Sequence, residues 1–283
     1  MYRIGIIGTE NSHALGFATY FNQTAPGRAK VVGVMGDADS VKIIQERVGV
    51  EFVANKVEDF IGKVDAMMVT SRAGSLHKDF IMPFVKMGMP VFIDKPFTSS
   101  PEEALELISE IKKSGSPVLG GSGCKFATPI AELKNTVAKW REEGKFLQAS
   151  MNFNVMLTSP YDGIYFYAPH LVEMCLEIFG KEIEYIRADR LGNCVTVNVF
   201  YKNDTVTLHF TATAPQSTCI LYGVDGNIVR DIDISQITKE ESEWFIKILN
   251  GEEQPYPVED YYLPIKMIDV IEKSYENGEK IPF

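Results

Sequence analysis

Apolar residues in the first half of the chain fall into short unbroken runs, and amphipathic segments separate them. Residues 2–8 (YRIGIIG) read as a buried strand, and Asn11 or Ser12 can cap a helix over about 13–23 that buries Ala14, Leu15, Phe17, Ala18 and Phe21. Further runs at 30–35, near Phe52, at 66–70 and at 90–93 alternate with helical patterns at 41–47, 57–61, 76–87 and 101–113, the last with Pro101 in its first turn and Ser100 as cap. Continuous apolar strands between helices predict a parallel sheet wound on both faces. The second half changes period. Residues 128–143 read as a helix, 146–156 as a long alternating strand, and 195–201 with 205–210, like 217–222 with 227–232, as hairpins.

In a doubly wound sheet ligands meet the carboxyl ends of the strands, so two strand ends draw attention. Gly8 closes the first strand, and the turn into the first helix is the expected phosphate site, because backbone N–H groups at a helix start favour an anion. A full GxGxxG fingerprint requires glycine at 8, 10 and 13; the chain has Gly8, Glu10 and His13. Glu10 brings a side chain and a like charge, while Thr9, Asn11 and Ser12 offer replacement donors; a purely structural turn is the alternative. In VFIDKPF, residues 91–97, an apolar run stops at Asp94-Lys95-Pro96, which sets Asp94 and Lys95 at a strand end facing whatever the protein holds. The plain alternative is a strand capped by a solvated ion pair.

Length and composition narrow the partners. A chain of 283 residues, 45% hydrophobic, suits roughly two domains, expected at 1–121 and 122–283. The net charge of −10 argues against nucleic acid or an anionic membrane as partner. Cys124, Cys175, Cys194 and Cys219 form no CxxC pair, so the expectation is four reduced thiols and no metal site. Met1 leads directly into the first strand and no apolar run approaches a membrane span, which predicts a cytoplasmic protein.

Taken together, IGIIG at the start, the alternating half, DKP at 94–96, GSGCKF at 121–126 followed by Pro129, and PVED at 257–260 resemble the Gfo/Idh/MocA family of glucose-fructose oxidoreductase and inositol dehydrogenase relatives. Those enzymes carry Glu-Lys-Pro where this chain has Asp94-Lys95-Pro96, and commonly arginine where it has Lys125. The resemblance implies an α/β chain: a Rossmann domain, then an α+β domain whose open, mostly antiparallel sheet pairs with further copies into a homodimer or homotetramer. It implies a cofactor, NAD or NADP, touched by Gly8, Thr9, Glu10, Asn11, Ser12, Thr70, Ser71, Asp94 and Lys95. Asp37 is the candidate for the adenosine ribose, since a carboxylate accepts bonds from both hydroxyls and repels the NADP phosphate, with Asp39 as its competitor. A plain loop carboxylate, a helix-leading turn at 70–71 and packing of His77 in its helix are the structural alternatives.

The family also places a histidine, with an aspartate four residues earlier, on a helix of the second domain. His170 matches the histidine, and Phe166 stands at the aspartate position. The implied chemistry is hydride transfer between a nicotinamide and a hydroxyl carbon of a sugar, cyclitol or related small polyol. His170 acts as base, Lys95 steadies the oxygen, and Lys125, Tyr165 and Tyr167 contact substrate beside Tyr161. A second reading keeps the fold and loses the activity, leaving a ligand-binding or regulatory protein, because Glu10 and Phe166 depart from the pattern on both halves.

Overall fold

The computed structural model describes residues 1–213, 216–252 and 254–283. The first half runs β1 (Tyr2–Ile7), α1 (Ser12–Thr19), β2 (Ala29–Met35), α2 (Ala38–Arg47), β3 (Phe52–Val53), β4 (Ala66–Val69), α3 (His77–Lys86), β5 (Val91–Asp94), α4 (Pro101–Ser114) and β6 (Val118–Gly121). The second runs α5 (Thr128–Glu142), β7 (Phe146–Asn154), α6 (Ala168–Phe179), β8 (Ile183–Leu191), β9 (Cys194–Tyr201), β10 (Thr205–Thr211), β11 (Thr218–Gly223), β12 (Gly226–Asp231), α7 (Ile237–Leu249), α8 (Tyr262–Asn277) and β13 (Ile281–Pro282).

Two compact units result: Met1–Gly121 with Thr238–Tyr262, and Ser122–Ile237 with Leu263–Phe283. The sequence divides at 121/122; the structure adds that the chain returns to the first unit for Thr238–Tyr262.

The first unit holds a six-stranded sheet ordered β3-β2-β1-β4-β5-β6, and every pairing in it is parallel. β4 and β5 are buried at every residue, as strands covered on both faces must be. Asn11 is the N-cap of α1, its Oδ1 accepting the His13 N–H at 3.2 Å. The expected helix to residue 23 ends sooner, and Tyr20–Thr24 continue it as a π-helical turn. The turn expected over 57–61 is a short 3₁₀ segment, Val57–Phe60. Ser100 caps α4 as expected, accepting from Glu103 N at 3.3 Å.

The returning segment carries α7, which the sequence pattern did not announce. Phe245 on α7 meets Phe92 of β5, and Phe92 meets Phe17 of α1, with ring centroids 5.9 and 4.9 Å apart. Glu243 takes bonds from Tyr20 and Arg28, and Tyr261 stacks on Phe97 at 5.1 Å.

The second unit is built on a seven-stranded sheet ordered β12-β11-β7-β10-β9-β8-β13, antiparallel except for the parallel pair β7 and β10. One residue in two is buried along β9 and β10: Val195, Val197, Val199 and Tyr201 against Val206, Leu208 and Phe210. Helices α5 and α6 pack on each other, and α6 also packs on β7 and β10. The alternate positions, Thr196, Asn198, Thr207 and His209 among them, form the opposite face and are only partly covered. Arg141 of α5 clamps the β9–β10 turn, bonding Asp204 at 2.9 and 2.8 Å and the Phe179 carbonyl at 2.6 Å.

All four cysteines are free, and three are buried. Among the described residues no helix is long and apolar enough to cross a membrane, and no group of residues suited to hold a metal ion is present.

Phe92 joins the sheet, α1 and the returning α7 at 1% exposure. Phe92→Ala is expected to lower unfolding free energy by about 3–5 kcal/mol. Urea denaturation measures it, and a loss below about 1 kcal/mol would contradict this role for Phe92.

Candidate active site

The chemistry-bearing residues of the first unit gather where β1, β4 and β5 end. Gly8 has φ +92°, and a Cβ there would lie 2.3 Å from the Ser71 nitrogen, so only glycine fits at this turn. Thr70, fully buried, donates its hydroxyl to the Gly8 carbonyl at 2.7 Å and ties the end of β4 to the turn. Ser71 presses against Gly8 from the same side; its Oγ is buried and has no hydrogen-bond partner.

Among the described residues the backbone N–H groups of Glu10, Asn11 and Ser12 make no bond within the protein. The three successive donors at the start of α1 are what an anion requires. Glu10 turns its carboxylate away from them, accepting the Arg72 N–H at 2.9 Å. Thr9 bonds the Ser40 hydroxyl at 2.7 Å, and a Cβ at Gly36 would lie 1.9 Å from its Oγ1.

Asp37 stands just past the end of β2 as the N-cap of α2, accepting from Ser40 N at 3.0 Å and from the Ser40 hydroxyl. Those bonds hold its carboxyl below the usual range, so the exposed Asp37 is an anion at neutral pH. Asp39 lies in the first turn of the same helix.

At the end of β5, Asp94 is buried completely and Lys95 to 3% exposure. Asp94 accepts from Lys95 N at 2.8 Å, is reached by Asn11 Nδ2 at 3.4 Å, and has His13 Nδ1 2.7 Å from its Oδ2. Burial pushes its pKa up, but the charge and bond of His13, the Lys95 charge and the Lys95 N–H outweigh that and hold it at about 2. The sequence named His13 only as a missing glycine. His77 is fully buried and bonds the Ser71 carbonyl at 2.8 Å. Burial lowers its pKa, against the opposing effects of the Ser71 carbonyl and the Asp94 charge.

In the second unit, His170 lies near the start of α6, 5% exposed. Its Nδ1 is 2.7 Å from Ser122 Oγ and 3.3 Å from Cys124 Sγ. The ring meets Phe153 and Tyr167 at 5.1 and 5.6 Å between centroids. Three residues further along α6, buried Glu173 accepts the Ser122 N–H and the Lys125 ammonium, both at 2.8 Å. Glu173 was missed by sequence reasoning, and so was Ser122; the only signal was the i, i+3 spacing of Glu173 from His170.

Phe166 does not share a helical face with His170. It ends a separate 3₁₀ turn, Gly163–Phe166, and Tyr167 at φ −123° breaks the run before α6. Its ring packs between Tyr161 and Tyr167. A cavity of about 860 Å³ in this unit is lined by Phe153, Tyr167, Asn154, Gln216, Asp231 and Asp233 among others, with no basic residue among those described. Tyr167 lines it; Tyr165, Lys125 and His170 do not.

The depressed pKa of Asp94 is a statement about stability. Its carboxylate stabilises the fold above the ordinary value of 3.8, and this contribution is lost as pH falls from there towards about 2. The full linkage amounts to about 2 kcal/mol. Acid unfolding of Asp94→Asn, followed by circular dichroism, is expected to lack this component. An acid limb identical to that of the unmodified protein would contradict it.

Comparison with known proteins agrees with this geometry. Residues 2–121 match the family described as Gfo/Idh/MocA, oxidoreductase family, NAD-binding Rossmann fold. No match was found among curated proteins. Among solved structures, GenD2 from gentamicin A biosynthesis, in complex with NAD, superposes with TM-score 0.86 at 14% identity over 100% of this chain and 96% of its own. A probable dehydrogenase from Thermotoga maritima gives 0.83 at 19% identity over 99% and 98%. Scyllo-inositol dehydrogenase from Lactobacillus casei, with bound NAD(H) and scyllo-inositol, gives 0.83 at 15% identity over 100% and 99%. These likenesses establish the fold along the whole chain, and its residues 2–121 match the Gfo/Idh/MocA oxidoreductase family's NAD-binding Rossmann portion.

Proposed function

We propose that this protein is an NAD-dependent dehydrogenase acting on a hydroxyl carbon of a sugar, cyclitol or related small polyol. The observation that carries the reading is the turn at Gly8: a glycine no other residue can replace, three unsatisfied N–H groups at a helix start, and Lys95 at the end of β5. The turn suits a dinucleotide. Glu10, Asn11 and Ser12 would meet its phosphates with backbone donors, and Asp37 would accept from the adenosine ribose. The negative charge on Asp37 favours NAD over NADP. Neighbours solved with NAD, one also with scyllo-inositol, support the cofactor and the substrate class.

The bound nicotinamide supplies the hydride acceptor or donor. The rest is proton and charge management by this chain. His170 takes the hydroxyl proton at Nε2, because Nδ1 is held by Ser122; in that role Nδ1–H donates to Ser122 Oγ. The Lys95 ammonium, just past the end of β5, is the cation that would stabilise negative charge growing on a substrate oxygen. Lys125 is held by Glu173 and acts by fixing the segment that carries Ser122. The cavity walled by Phe153 and Tyr167, the two rings that His170 packs against, has the aromatic wall and amide and carboxylate acceptors that a polyol uses. Tyr165 is buried in the turn before α6.

A second reading, a ligand-binding protein that has kept the fold, is favoured by one observation: Phe166 packs on Tyr161 and Tyr167 and supplies no carboxylate beside His170. A panel of sugars and cyclitols with NAD reduction as readout decides between them. Turnover is expected, and His170→Ala should lower it by about two to four orders of magnitude. NADH binding without oxidation of any polyol would favour the second reading, and unchanged turnover in His170→Ala would remove His170 from the chemistry.

The half-covered polar face of the second unit's sheet, with Thr196, Asn198, Thr207 and His209, is proposed to pair with a second copy. Sedimentation at micromolar concentration is expected to give a dimer or tetramer; monomer alone would contradict it.

A further inference from the structure

The turn at Gly8 contains an imidazole that a dinucleotide fingerprint does not require. His13 is the second residue of α1, where the fingerprint has its third glycine. Its Nδ1 lies 2.7 Å from Asp94 Oδ2, and its side chain is 23% exposed whereas that of Asp94 is wholly buried. Phe17, one helical turn along, meets the ring edge-on at 6.4 Å.

Asp94 is ionised at neutral pH, with its pKa at about 2, so it accepts and Nδ1 carries the proton. Neutral His13 is therefore the Nδ1–H tautomer, with a lone pair on Nε2, the nitrogen turned away from Asp94. A lone pair repels a phosphate oxygen; an N–H⁺ there attracts one.

The surroundings define the charge balance. The end of β5 contributes Asp94 with Lys95 just past it, the turn itself contributes Glu10, the segment after β4 contributes Arg72, and the start of α3 contributes His77. On α7, Glu241 is buried and Glu243 is held by Tyr20 and Arg28. Glu10 and Asp94 together put two carboxylates near the turn, which raises the local negative charge that a bound anion meets. The unsatisfied Ser71 Oγ, 1% exposed and 2.5 Å from where a Gly8 Cβ would sit, independently marks this turn as one built for a ligand.

We propose that His13 is a phosphate-binding residue of the dinucleotide site, and that dinucleotide binding is coupled to uptake of one proton by its Nε2. The proposal rests on the reading of this turn as a dinucleotide site. The proton comes from solvent and stays on the imidazole, sandwiched between the Asp94 carboxylate and the phosphate, and no other bond forms or breaks. The buried aspartate thus has two tasks: it fixes the tautomer and stabilises the imidazolium.

NADH binding, followed by its fluorescence between about pH 5 and 8, tests this directly. Affinity is expected to fall by about tenfold per pH unit once the imidazole is neutral. Calorimetry in buffers of different ionisation enthalpy should show proton uptake on binding. His13→Asn keeps a donor to Asp94 but lacks Nε2; it should bind NADH about 10- to 100-fold more weakly at low pH, with a flat profile. A pH-independent affinity of the unmodified protein with no proton uptake, or a slope that persists in His13→Asn, would overturn the role of His13 and leave the dehydrogenase reading intact. NADH failing to bind at every pH would overturn both. Proton-linked binding in a protein that oxidises no polyol would support His13 and reject the dehydrogenase. If His13→Asn does not fold, the proton count of the unmodified protein decides alone.

Discussion

A carboxylate with no exposure to water governs the first unit. Burying an unpaired charge costs several kcal/mol, so Asp94 exists as an anion only because neighbours answer it. The answers come from separate pieces of chain: Asn11 and His13 from the turn and helix that follow β1, the Lys95 N–H from the strand end itself. Since β4 lies between β1 and β5, these bonds reach across it and fasten α1 to the far side of the ligand end of the sheet. Lys95 then has a fixed origin.

The second unit uses the same device with other residues. Glu173 is the buried acceptor, the Ser122 N–H is its main-chain donor and the Lys125 ammonium its cation. His170, three residues earlier on the same helix, bonds the Ser122 hydroxyl, so two neighbouring side chains of α6 pin the segment where the second unit begins. In both units a buried carboxylate accepts from a main-chain N–H and from a nitrogen-bearing side chain. Removing His13 or Lys125 would leave a buried carboxylate short of its nearest side-chain partner, which makes these residues structural as well as chemical.

Legibility in the sequence followed covering. β1, β2, β4 and β5 carry unbroken apolar runs because both faces of the sheet are buried there, and β9 and β10 alternate because one face is open; both patterns read directly. β6 escaped because its sequence, VLGG, is half glycine, yet packing demands Gly120: a Cβ there would sit 2.7 Å from the Ile93 carbonyl. The pattern of α7 was obscured by Glu241 and Ser242, polar residues on its buried face, and β8 by its charges. Lys95 and His170 were singled out through strand-end logic and family motif. His13–Asp94 spans 81 positions, and nothing local announces such a pair.

The altered fingerprint separates functions that three glycines usually perform together. Position 8 keeps glycine because its backbone angle and the approach of Ser71 permit nothing else. Position 10 tolerates glutamate because its side chain has an acceptor role elsewhere, at Arg72 N. Position 13 tolerates histidine because Asp94 draws the imidazole to the end of β5, away from the close helix–strand packing a glycine would serve. A close approach that does require a missing side chain has moved to the end of β2, where Gly36 makes room for Thr9. Loss of glycine from a fingerprint therefore measures loss of a phosphate turn poorly; what matters is whether each new side chain has somewhere to go, and here each one does.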